Sequence, residues 1–436
     1  MEESLQTWRD MMINLRKKWI NAASFLLLAA TLLGTSAPGV SAAAKQTPQP
    51  ETFGIVALGD SVSAGYEPGM TISSTPYGYA ERLLEQAWFH GKRAELGNYG
   101  ILGLKTAGLR QLTAAIKDGT AITADSIQPG IADPRLPSFA AKAEQTKADI
   151  AAAKLITITI GGNDVSSLLQ QAKDLSDADL QARVQELLAA YTDNVTAALE
   201  NLRAINPNAT IIIADQYQPV PQLYAGQSYA KLMSAAASFT QATDRLAASV
   251  TLPGAPVLVA HAASRFAGQE GSLTHIIADS DFHPTQLGYE TIAKAFTEEV
   301  WGDYRVPASF LTPSASQRPM TIVVNSQELN TPNKPVVRSG QNFLALADVL
   351  KAMGAGGKWD NKTSSATIVY GGRTVVITIG SKTILADGRK IVIDTPAFLQ
   401  KNGKEAKTYL PLAALASGLG FDVEYSAQLR TAFINP

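Results

Sequence analysis

Short apolar runs alternate with longer amphipathic stretches through the first two thirds of the chain. The runs cover residues 53–58, 155–160, 210–214 and 257–260, and each is followed by small or polar residues. They are rich in β-branched residues and too short for buried helices, whereas residues 180–205 and 229–250 have the spacing of amphipathic helices. Buried strands that alternate with amphipathic helices predict an α/β domain whose parallel sheet is covered on both faces.

The pattern changes near residue 318, where strand-like stretches dominate and an internal repeat begins. The repeat aligns positions 66 residues apart. Eight like-for-like matches support it: Phe343, Leu346, Ala347, Val349, Met353, Gly354, Trp359 and Ile368 with Tyr409, Leu412, Ala413, Leu415, Leu419, Gly420, Tyr425 and Ile434. Each copy reads as a short helix, a glycine turn and a pair of strands, which predicts a smaller α+β repeat domain.

The N-terminus has the order of a secretory signal peptide. Three basic residues at 16–18 precede an apolar run at 19–33, then helix-breaking residues and a small-residue site at 40–42. The alternative is an uncleaved membrane anchor, but the uninterrupted apolar core of about 14 residues is short of the ~20 that a spanning helix needs. We therefore expect a secreted, extracellular protein.

These changes in pattern predict five segments. Residues 1–42 are the signal peptide and 43–52 a linker, and 306–319 is a second linker between an α/β domain at 53–305 and the repeat domain at 320–436. Two domains also suit a chain of 436 residues, which exceeds what one core usually serves.

Composition and charge narrow the function classes. Hydrophobic residues make up 46% and charged residues 17%, which is typical of a globular protein, and the net charge of -1 gives no basis for binding nucleic acid. The chain has no cysteine, which excludes disulfides, thiol catalysis and thiolate metal sites. With four scattered histidines as well, we expect neither a catalytic metal nor a cofactor.

Ser61 is the candidate nucleophile. It lies in Gly59-Asp60-Ser61-Val62, directly after the first apolar run, and a serine hydroxyl needs a positioned base to react at neutral pH. Of the four histidines, His283 is the candidate base, because Pro284 and a helical run at 287–296 place it on a loop at a helix start. For the other three, His90, His261 and His275, a structural role is the expectation.

Two glycine-containing loops could supply the donors for an oxyanion. Gly161-Gly162-Asn163-Asp164 directly follows the run at 155–160, so the Asn163 amide could point into a cleft at the carboxyl edge of the sheet. The loop at 98–103 could bring a backbone N–H to the same place. Losing one such donor typically costs roughly 3–4 kcal/mol of transition-state stabilisation.

In this order the motifs resemble the SGNH (GDSL-type) lipase/esterase family, whose four blocks supply Ser, Gly, Asn and His. The run 57–62 matches the first block with Val62 in place of Leu, and the loops at 98–103 and 161–164 match the second and third. His283-Pro284 matches the last, so the resemblance covers roughly residues 53–302. It implies a flavodoxin-like three-layer α/β/α fold, with Ser61 as nucleophile, His283 as base, and an oxyanion hole that includes Gly103 and Asn163.

The third member of the triad departs from the family pattern. The family places an Asp three residues before the His, where it orients the imidazole, but this chain has Ser280 there, between Asp279 and Asp281. We favour Asp281, with Asp279 as the alternative. A backbone carbonyl in a Ser–His dyad is the third interpretation.

The region from about 320 to 436 resembles the copper-amine-oxidase N-terminal-like domain of secreted bacterial enzymes. The resemblance rests on Phe343-Leu344-Ala345-Leu346 and its echo Tyr409-Leu410-Pro411-Leu412, each followed by a glycine turn. The region has no histidine and no cysteine, so copper binding is not implied. Association with the cell wall and service as a spacer are equally open.

Three functions remain in view. The first is a secreted esterase or lipase acting on lipid or short acyl esters, the second a carbohydrate or peptidoglycan O-acetylesterase, and the third a catalytically inactive cell-wall binding protein. No Gly-x-Ser-x-Gly elbow supports an α/β-hydrolase, and a Ser228-x-x-Lys231 match lacks the Lys-Thr-Gly of penicillin-recognising enzymes. Residues 114–147 and the loop at 216–228, with Tyr217 and Tyr224, are the candidate walls of the substrate site.

Overall fold

The computed structural model describes residues 51–171, 174–250, 254–311, 320–402 and 405–436. The expected signal peptide and most of both expected linkers lie outside these residues. Within the described part of the chain, no helix combines the length and the apolar character needed to cross a membrane.

The described chain divides into two compact units, of which the larger comprises Glu51–Glu328 with Glu424–Pro436 and the smaller comprises Leu329–Val423. The strands are β1 Phe53–Gly59, β2 Ala94–Gly100, β3 Ala153–Thr159, β4 Thr210–Ala214, β5 Val257–Ala260, β6 Thr321–Val324, β7 Gln327–Glu328, β8 Val336–Arg338, β9 Gln341–Ala345, β10 Gly356–Asp360, β11 Ser365–Tyr370, β12 Arg373–Thr378, β13 Thr383–Ala386, β14 Arg389–Val392, β15 Phe398–Asn402, β16 Glu405–Pro411, β17 Asp422–Ser426 and β18 Thr431–Asn435. The helices are α1 Tyr79–Phe89, α2 Thr106–Asp118, α3 Ala124–Ile127, α4 Leu136–Ala141, α5 Ala143–Ala152, α6 Gly162–Gln171, α7 Asp177–Ile205, α8 Gln222–Ala225, α9 Tyr229–Ser249, α10 Ala263–Phe266, α11 Glu270–Leu273, α12 Ile276–Asp279, α13 Gln286–Trp301, α14 Ala308–Leu311, α15 Leu346–Met353 and α16 Leu412–Gly418.

The larger unit is built on a five-stranded parallel sheet in the order β2-β1-β3-β4-β5. Alternate residues of its strands face opposite sides. Val56, Leu58 and Ile158 pack in one core with α2 and α7, while Ile55 and Ala57 pack in the other with α1 and α13. Helices therefore cover both faces, which confirms the predicted flavodoxin-like three-layer fold. In this strand order the connections diverge between β1 and β3, where sheets of this kind bind their ligands.

Strand β2 differs from the sequence expectation, because residues 98–103 were read as a loop. The strand begins at Ala94, includes Asn98 and ends at Gly100. It forms the edge of the sheet and most of its side chains are only half-buried, so it carries no continuous apolar run of the kind that marks the central strands.

The smaller unit is mostly antiparallel, as expected of an α+β domain. Strands β10 to β14 form one antiparallel sheet in sequence order, and β15, β16, β9 and β8 form another. The two sequence repeats share one order of elements, since α15 and α16 are each followed by a glycine at positive φ, Gly354 at 64° and Gly420 at 83°, and then by two strands.

The division between the units differs from the boundary that we drew at residue 320. Strands β6 and β7 and the last 13 residues belong to the larger unit, where β18 pairs in parallel with β6. The physical reason is packing against α1. Phe433 is fully buried against Trp88 and Phe89, and the Asn435 amide donates to the carbonyls of Trp88 and Lys92, each at 3.0 Å.

Candidate active site

Ser61 lies on the turn that leaves β1 at the carboxyl edge of the sheet. The turn begins at Gly59, whose φ is 122° and where a Cβ would lie 2.0 Å from the carbonyl oxygen of Thr159. Glycine is therefore needed for the ends of β1 and β3 to approach this closely. The Asp60 N–H donates to the same carbonyl at 2.9 Å, which fixes the direction in which Ser61 leaves the strand.

A buried polar network supports this turn from below. The Asp60 carboxylate accepts hydrogen bonds from the Val62 N–H at 3.0 Å and from the Thr159 hydroxyl at 2.9 Å. The Ser63 hydroxyl donates to the Leu58 carbonyl at 2.6 Å and lies 2.7 Å from the Thr159 hydroxyl. Burial raises the pKa of Asp60 to about 7. Asp60 thus shapes the turn through hydrogen bonds to its own loop and to β3.

The side chains of Ser61, His283 and Asp281 form one hydrogen-bonded line. His283 Nε2 lies 2.8 Å from Ser61 Oγ, and His283 Nδ1 lies 2.6 Å from Asp281 Oδ1. The same carboxylate oxygen accepts the backbone N–H of His283 at 2.8 Å, so the loop holds acid and imidazole together. The ring of Tyr66 packs edge-on against the imidazole at a centroid distance of 4.6 Å. This is the geometry of a serine nucleophile, its base and an orienting carboxylate.

Of the two aspartates that flank Ser280, the structure brings Asp281 to His283. Ser280 has a left-handed backbone, with φ of 54°, and this reverses the chain between the two carboxylates. Asp279 lies instead 2.8 Å from Nδ1 of His275. The partner of His283 Nδ1 is therefore a carboxylate side chain, and neither Asp279 nor a backbone carbonyl takes that position.

The candidate oxyanion donors come from the ends of β1, β2 and β3. Gly103 is exposed, has φ of 76° and has open space where a Cβ would be. Asn163 Nδ2 donates to the carbonyl of the neighbouring Leu104 at 2.9 Å, and its second hydrogen remains for another acceptor. Among the described residues, no acceptor binds the backbone N–H of Ser61 or of Gly103. These groups can donate to a developing oxyanion.

An ion pair that the sequence did not single out holds the Gly103 loop. Arg135 Nη2 lies 2.6 Å from Asp133 Oδ2 and donates to the Gly100 carbonyl at 2.9 Å, and Asp133 Oδ2 accepts the Leu102 N–H at 2.8 Å. Both residues fall in the segment 114–147 that was predicted as a substrate wall. Their pairing with a loop more than 30 residues earlier leaves no local pattern in the sequence.

A second cross-link ties the loops after β2 and β3 together. Asp164 accepts the Thr106 N–H at 3.1 Å and the Thr106 hydroxyl at 2.7 Å, at the start of α2. An acidic side chain at a helix N-terminus is favourable, because it satisfies unpaired N–H groups. Gly103 and Asn163 are therefore positioned by one connected set of hydrogen bonds.

Beside His283, the loops at 216–228 and 270–283 join to form an apolar rim. The Tyr217 hydroxyl donates to the Phe282 carbonyl at 3.1 Å, and the space that a Cβ on Gly271 would fill is lined by both Ile277 and Pro221. Large apolar side chains are exposed on these loops: Leu223 at 89%, Tyr224 at 59%, Ile277 at 54% and Phe282 at 39%. We call these four residues the apolar rim.

Two further histidines have partners of their own. His90 stacks on Trp301 at a centroid distance of 4.9 Å, and burial lowers its pKa. His261 Nδ1 lies 3.3 Å from the buried carboxylate of Asp215 and its Nε2 lies 3.7 Å from Asp244. Both contacts are consistent with structural roles.

The comparisons with known proteins agree with the order of the sequence blocks. The profile of the GDSL-like Lipase/Acylhydrolase family matches residues 55–296, and that of the copper amine oxidase N-terminal domain matches residues 323–434. No curated protein sequence matches the chain.

Solved structures similar to the chain include a lipase, Lip_vut3, from a goat rumen metagenome. It is 17% identical, with 58% of this chain and 100% of that chain covered and a TM-score of 0.41. An acetylxylan esterase mutant from Geobacillus stearothermophilus is 13% identical, with coverages of 59% and 99% and a TM-score of 0.37. A carbohydrate esterase family 3 protein from Talaromyces cellulolyticus is 13% identical, with coverages of 57% and 96% and a TM-score of 0.33.

Proposed function

The chain belongs to the GDSL-like lipase/acylhydrolase family and is an ester-hydrolysing enzyme, and from this premise we propose that it is an exported serine esterase. In this proposal Ser61 is the nucleophile, His283 the general base and Asp281 the carboxylate that orients it. The N–H groups of Ser61 and Gly103 and the Asn163 amide bind the oxyanion.

In the first half-reaction, His283 Nε2 takes the proton of the Ser61 hydroxyl while Oγ attacks the carbonyl carbon of the ester. The negative charge that develops on the carbonyl oxygen is stabilised by the three donors, which stand in place before the reaction begins. The resulting imidazolium gives its proton to the leaving alkoxide oxygen, the C–O bond breaks, and the alcohol departs. The acyl group remains on Ser61.

The second half-reaction repeats these steps with water. His283 removes a proton from a water molecule, the hydroxide attacks the acyl carbon, and the imidazolium returns the proton to Ser61 Oγ as the acid leaves. Throughout, the Asp281 carboxylate stabilises the imidazolium and keeps Nε2 directed at Ser61. The observation that carries the proposal is the hydrogen-bonded line from Ser61 through His283 to Asp281.

The test is hydrolysis of p-nitrophenyl esters by purified wild type and Ser61→Ala, with Ser238→Ala as the matched control. Ser238 lies exposed on α9, where its hydroxyl donates to the carbonyl of Ser234. We expect Ser61→Ala to lose at least about 10³-fold in kcat/KM, and Ser238→Ala to match the wild type. Full activity in Ser61→Ala would rule out the mechanism. Absence of Ser61-dependent turnover on any ester would favour an inactive binding protein instead.

The apolar rim favours esters with an apolar acyl chain over acetate. Its four side chains are exposed on the two loops that join beside His283, and an acyl chain that covers them gains about 25 cal/mol for each Å² of apolar surface removed from water. We therefore expect kcat/KM to rise from acetate through butyrate to octanoate. The alternative, a carbohydrate or peptidoglycan O-acetylesterase, predicts the reverse order and Ser61-dependent release of acetate from acetylated polysaccharide.

Export and association with the cell wall complete the proposal. The support for export is the signal-peptide pattern at residues 1–42, and the support for wall association is the copper-amine-oxidase N-terminal-like region at 323–434. Expression of the full chain in a secreting bacterial host tests both. We expect the released protein to begin at about residue 43. Deletion of Leu329–Val423 should leave export intact and reduce recovery from the wall fraction.

A further inference from the structure

His275 is held by a carboxylate at each of its ring nitrogens. Nδ1 lies 2.8 Å from Asp279 Oδ2, and Nε2 lies 3.2 Å from Glu67 Oε1. The imidazole side chain is 21% exposed, so both contacts are partly shielded from water. Glu67 lies six residues after Ser61, whereas Asp279 lies four residues after His275 on α12. One contact is therefore local, and the other joins segments more than 200 residues apart.

The number of protons on His275 decides how many of these contacts are hydrogen bonds. A neutral imidazole has one N–H and one lone pair, so it can donate to Glu67 or to Asp279 but not to both. The imidazolium has two N–H groups and can donate to both carboxylates at once. Such charge-assisted bonds are about twice as strong as neutral ones.

The local backbone connects His275 to the loop that carries the base. The His275 N–H donates to the His283 carbonyl at 3.0 Å, and the His275 carbonyl accepts the Asp281 N–H at 3.4 Å. On the other side, Glu67 follows Tyr66, whose ring edge contacts the His283 imidazole. A bond between His275 and Glu67 therefore links the segment that follows Ser61 to the loop of Asp281 and His283.

Glu67 is itself fixed from a second direction. Its Oε2 accepts the Gln286 Nε2–H at 2.6 Å, and Gln286 Oε1 accepts from Arg82 Nη2 at 2.8 Å. The charged groups that face His275 are thus Glu67 from the Ser61 segment and Asp279 from α12, with Arg82 behind Gln286. Since Glu67 is anchored, its contact with His275 can hold the position of the His283 loop.

We propose that His275 is a positioning residue of the ester hydrolysis, and that its doubly protonated form clamps the segment after Ser61 to the loop that carries Asp281 and His283. This role rests on the proposed function. Loss of the second proton opens one side of the clamp and lets the imidazole of His283 drift relative to Ser61 Oγ. A small misplacement of a base costs more in kcat than in KM, because the reacting geometry is disturbed while substrate binding is not.

Two substitutions separate the long-range contact from the local one. His275→Gln places an amide N–H near the position of Nε2 and can still donate to Glu67, whereas His275→Asn places it near Nδ1 and can still donate to Asp279. We expect His275→Asn to lower kcat by about tenfold with KM within about twofold, and His275→Gln to stay within about threefold of the wild type. The profile of kcat from about pH 5 to about pH 9 gives a second readout. The wild type should lose rate on the alkaline side as His275 is deprotonated, and His275→Gln should lack that loss.

The matched control is His261→Asn, because His261 also lies between two carboxylates, Asp215 and Asp244. It should keep wild-type kcat and pH profile. Should His275→Asn not fold, as judged by thermal unfolding, Glu67→Ala breaks the same contact from the other side and should give the same loss of kcat. Wild-type kcat and pH profile in the folded variant, or an equal loss in His275→Gln, would overturn the role of His275. Ser61→Ala separates this failure from failure of the mechanism, since retained activity there rejects the serine mechanism itself.

Discussion

The last strand of the chain belongs to the ester-hydrolysing unit, and removal of one aromatic side chain should show this. Phe433 on β18 is fully buried, with ring centroids 5.5 Å from Trp88 and 4.8 Å from Phe89 of α1. Replacement of a buried Phe by Ala typically costs about 3–5 kcal/mol, which includes the lost aromatic contacts. The expected loss of about 3–5 kcal/mol falls on the unit that contains Ser61, although Phe433 lies more than 370 residues away in sequence.

The loss translates into a measurable change of the unfolding temperature. A change of 1 kcal/mol shifts the midpoint by about 2–4 °C in a domain of about 150–250 residues, so Phe433→Ala should lower it by at least about 6 °C. The assay follows p-nitrophenyl ester hydrolysis against temperature, together with tryptophan fluorescence, because Trp88 packs on the deleted ring.

The matched control is Phe421→Ala in the same sequence repeat. Phe421 is also buried and packs on Tyr370 at a centroid distance of 4.6 Å, but it lies in the smaller unit. We expect it to leave the midpoint of activity loss unchanged. An unchanged midpoint in Phe433→Ala, or an equal fall in Phe421→Ala, would refute the assignment of β18 to the larger unit.

Three further predictions concern the turn of Ser61 and its supports. Asp281→Asn removes the charge that stabilises the imidazolium and should lower kcat/KM by about 10³–10⁴-fold in steady-state hydrolysis. Gly59→Ala places a Cβ 2.0 Å from the Thr159 carbonyl at φ of 122°, and should cost at least about 3 kcal/mol in urea denaturation. Burial raises the pKa of Asp60 to about 7, above its value in an unfolded chain, so the folded protein holds a proton that the unfolded chain releases between about pH 4 and about pH 7. The free energy of unfolding should therefore fall as pH rises through this window, and urea titrations of Asp60→Asn should show a smaller fall.

Each of these has a comparison that can contradict it. Asp279→Asn lacks a contact with His283, so a loss as large as that of Asp281→Asn would contradict the pairing that we describe. Gly103→Ala has a similar positive φ but open space around the Cβ, and should cost only about 1 kcal/mol. A pH dependence of stability that is identical in Asp60→Asn and the wild type would show that Asp60 is ionised in the folded protein.

Much of the fold and of the site could be predicted from the sequence because each relevant feature has a local cause. The central strands are buried on both faces, so they appear as continuous apolar runs, and the residues after them lie at the carboxyl edge of the sheet. Ser61 and Asn163 follow β1 and β3, which adjoin in the sheet, and His283 stands before a helix. Their order along the chain was therefore enough to place them in one cleft.

The partner of His283 could not be predicted in the same way. Asp279 and Asp281 are equally near in sequence, and the choice depends on the left-handed backbone of Ser280. A serine in that conformation has no strong local signature, since the surrounding contacts impose it. The strand β2 was missed for a related reason, because an edge strand is only half-buried and lacks the apolar run.

The sequence by itself determined the parallel sheet, the repeat and the order of the four blocks, because these depend on which residues avoid water. Tertiary structure alone decided the contacts between distant segments. The contact of Glu67 with His275 and the packing of Phe433 on α1 each join residues more than 200 positions apart. Neither contact leaves a periodic pattern, since a single pair of side chains meets only after the helices have packed on the sheet and the chain entropy of closing the loop between them has been overcome. The same physical reason placed the end of the chain in the unit that contains Ser61.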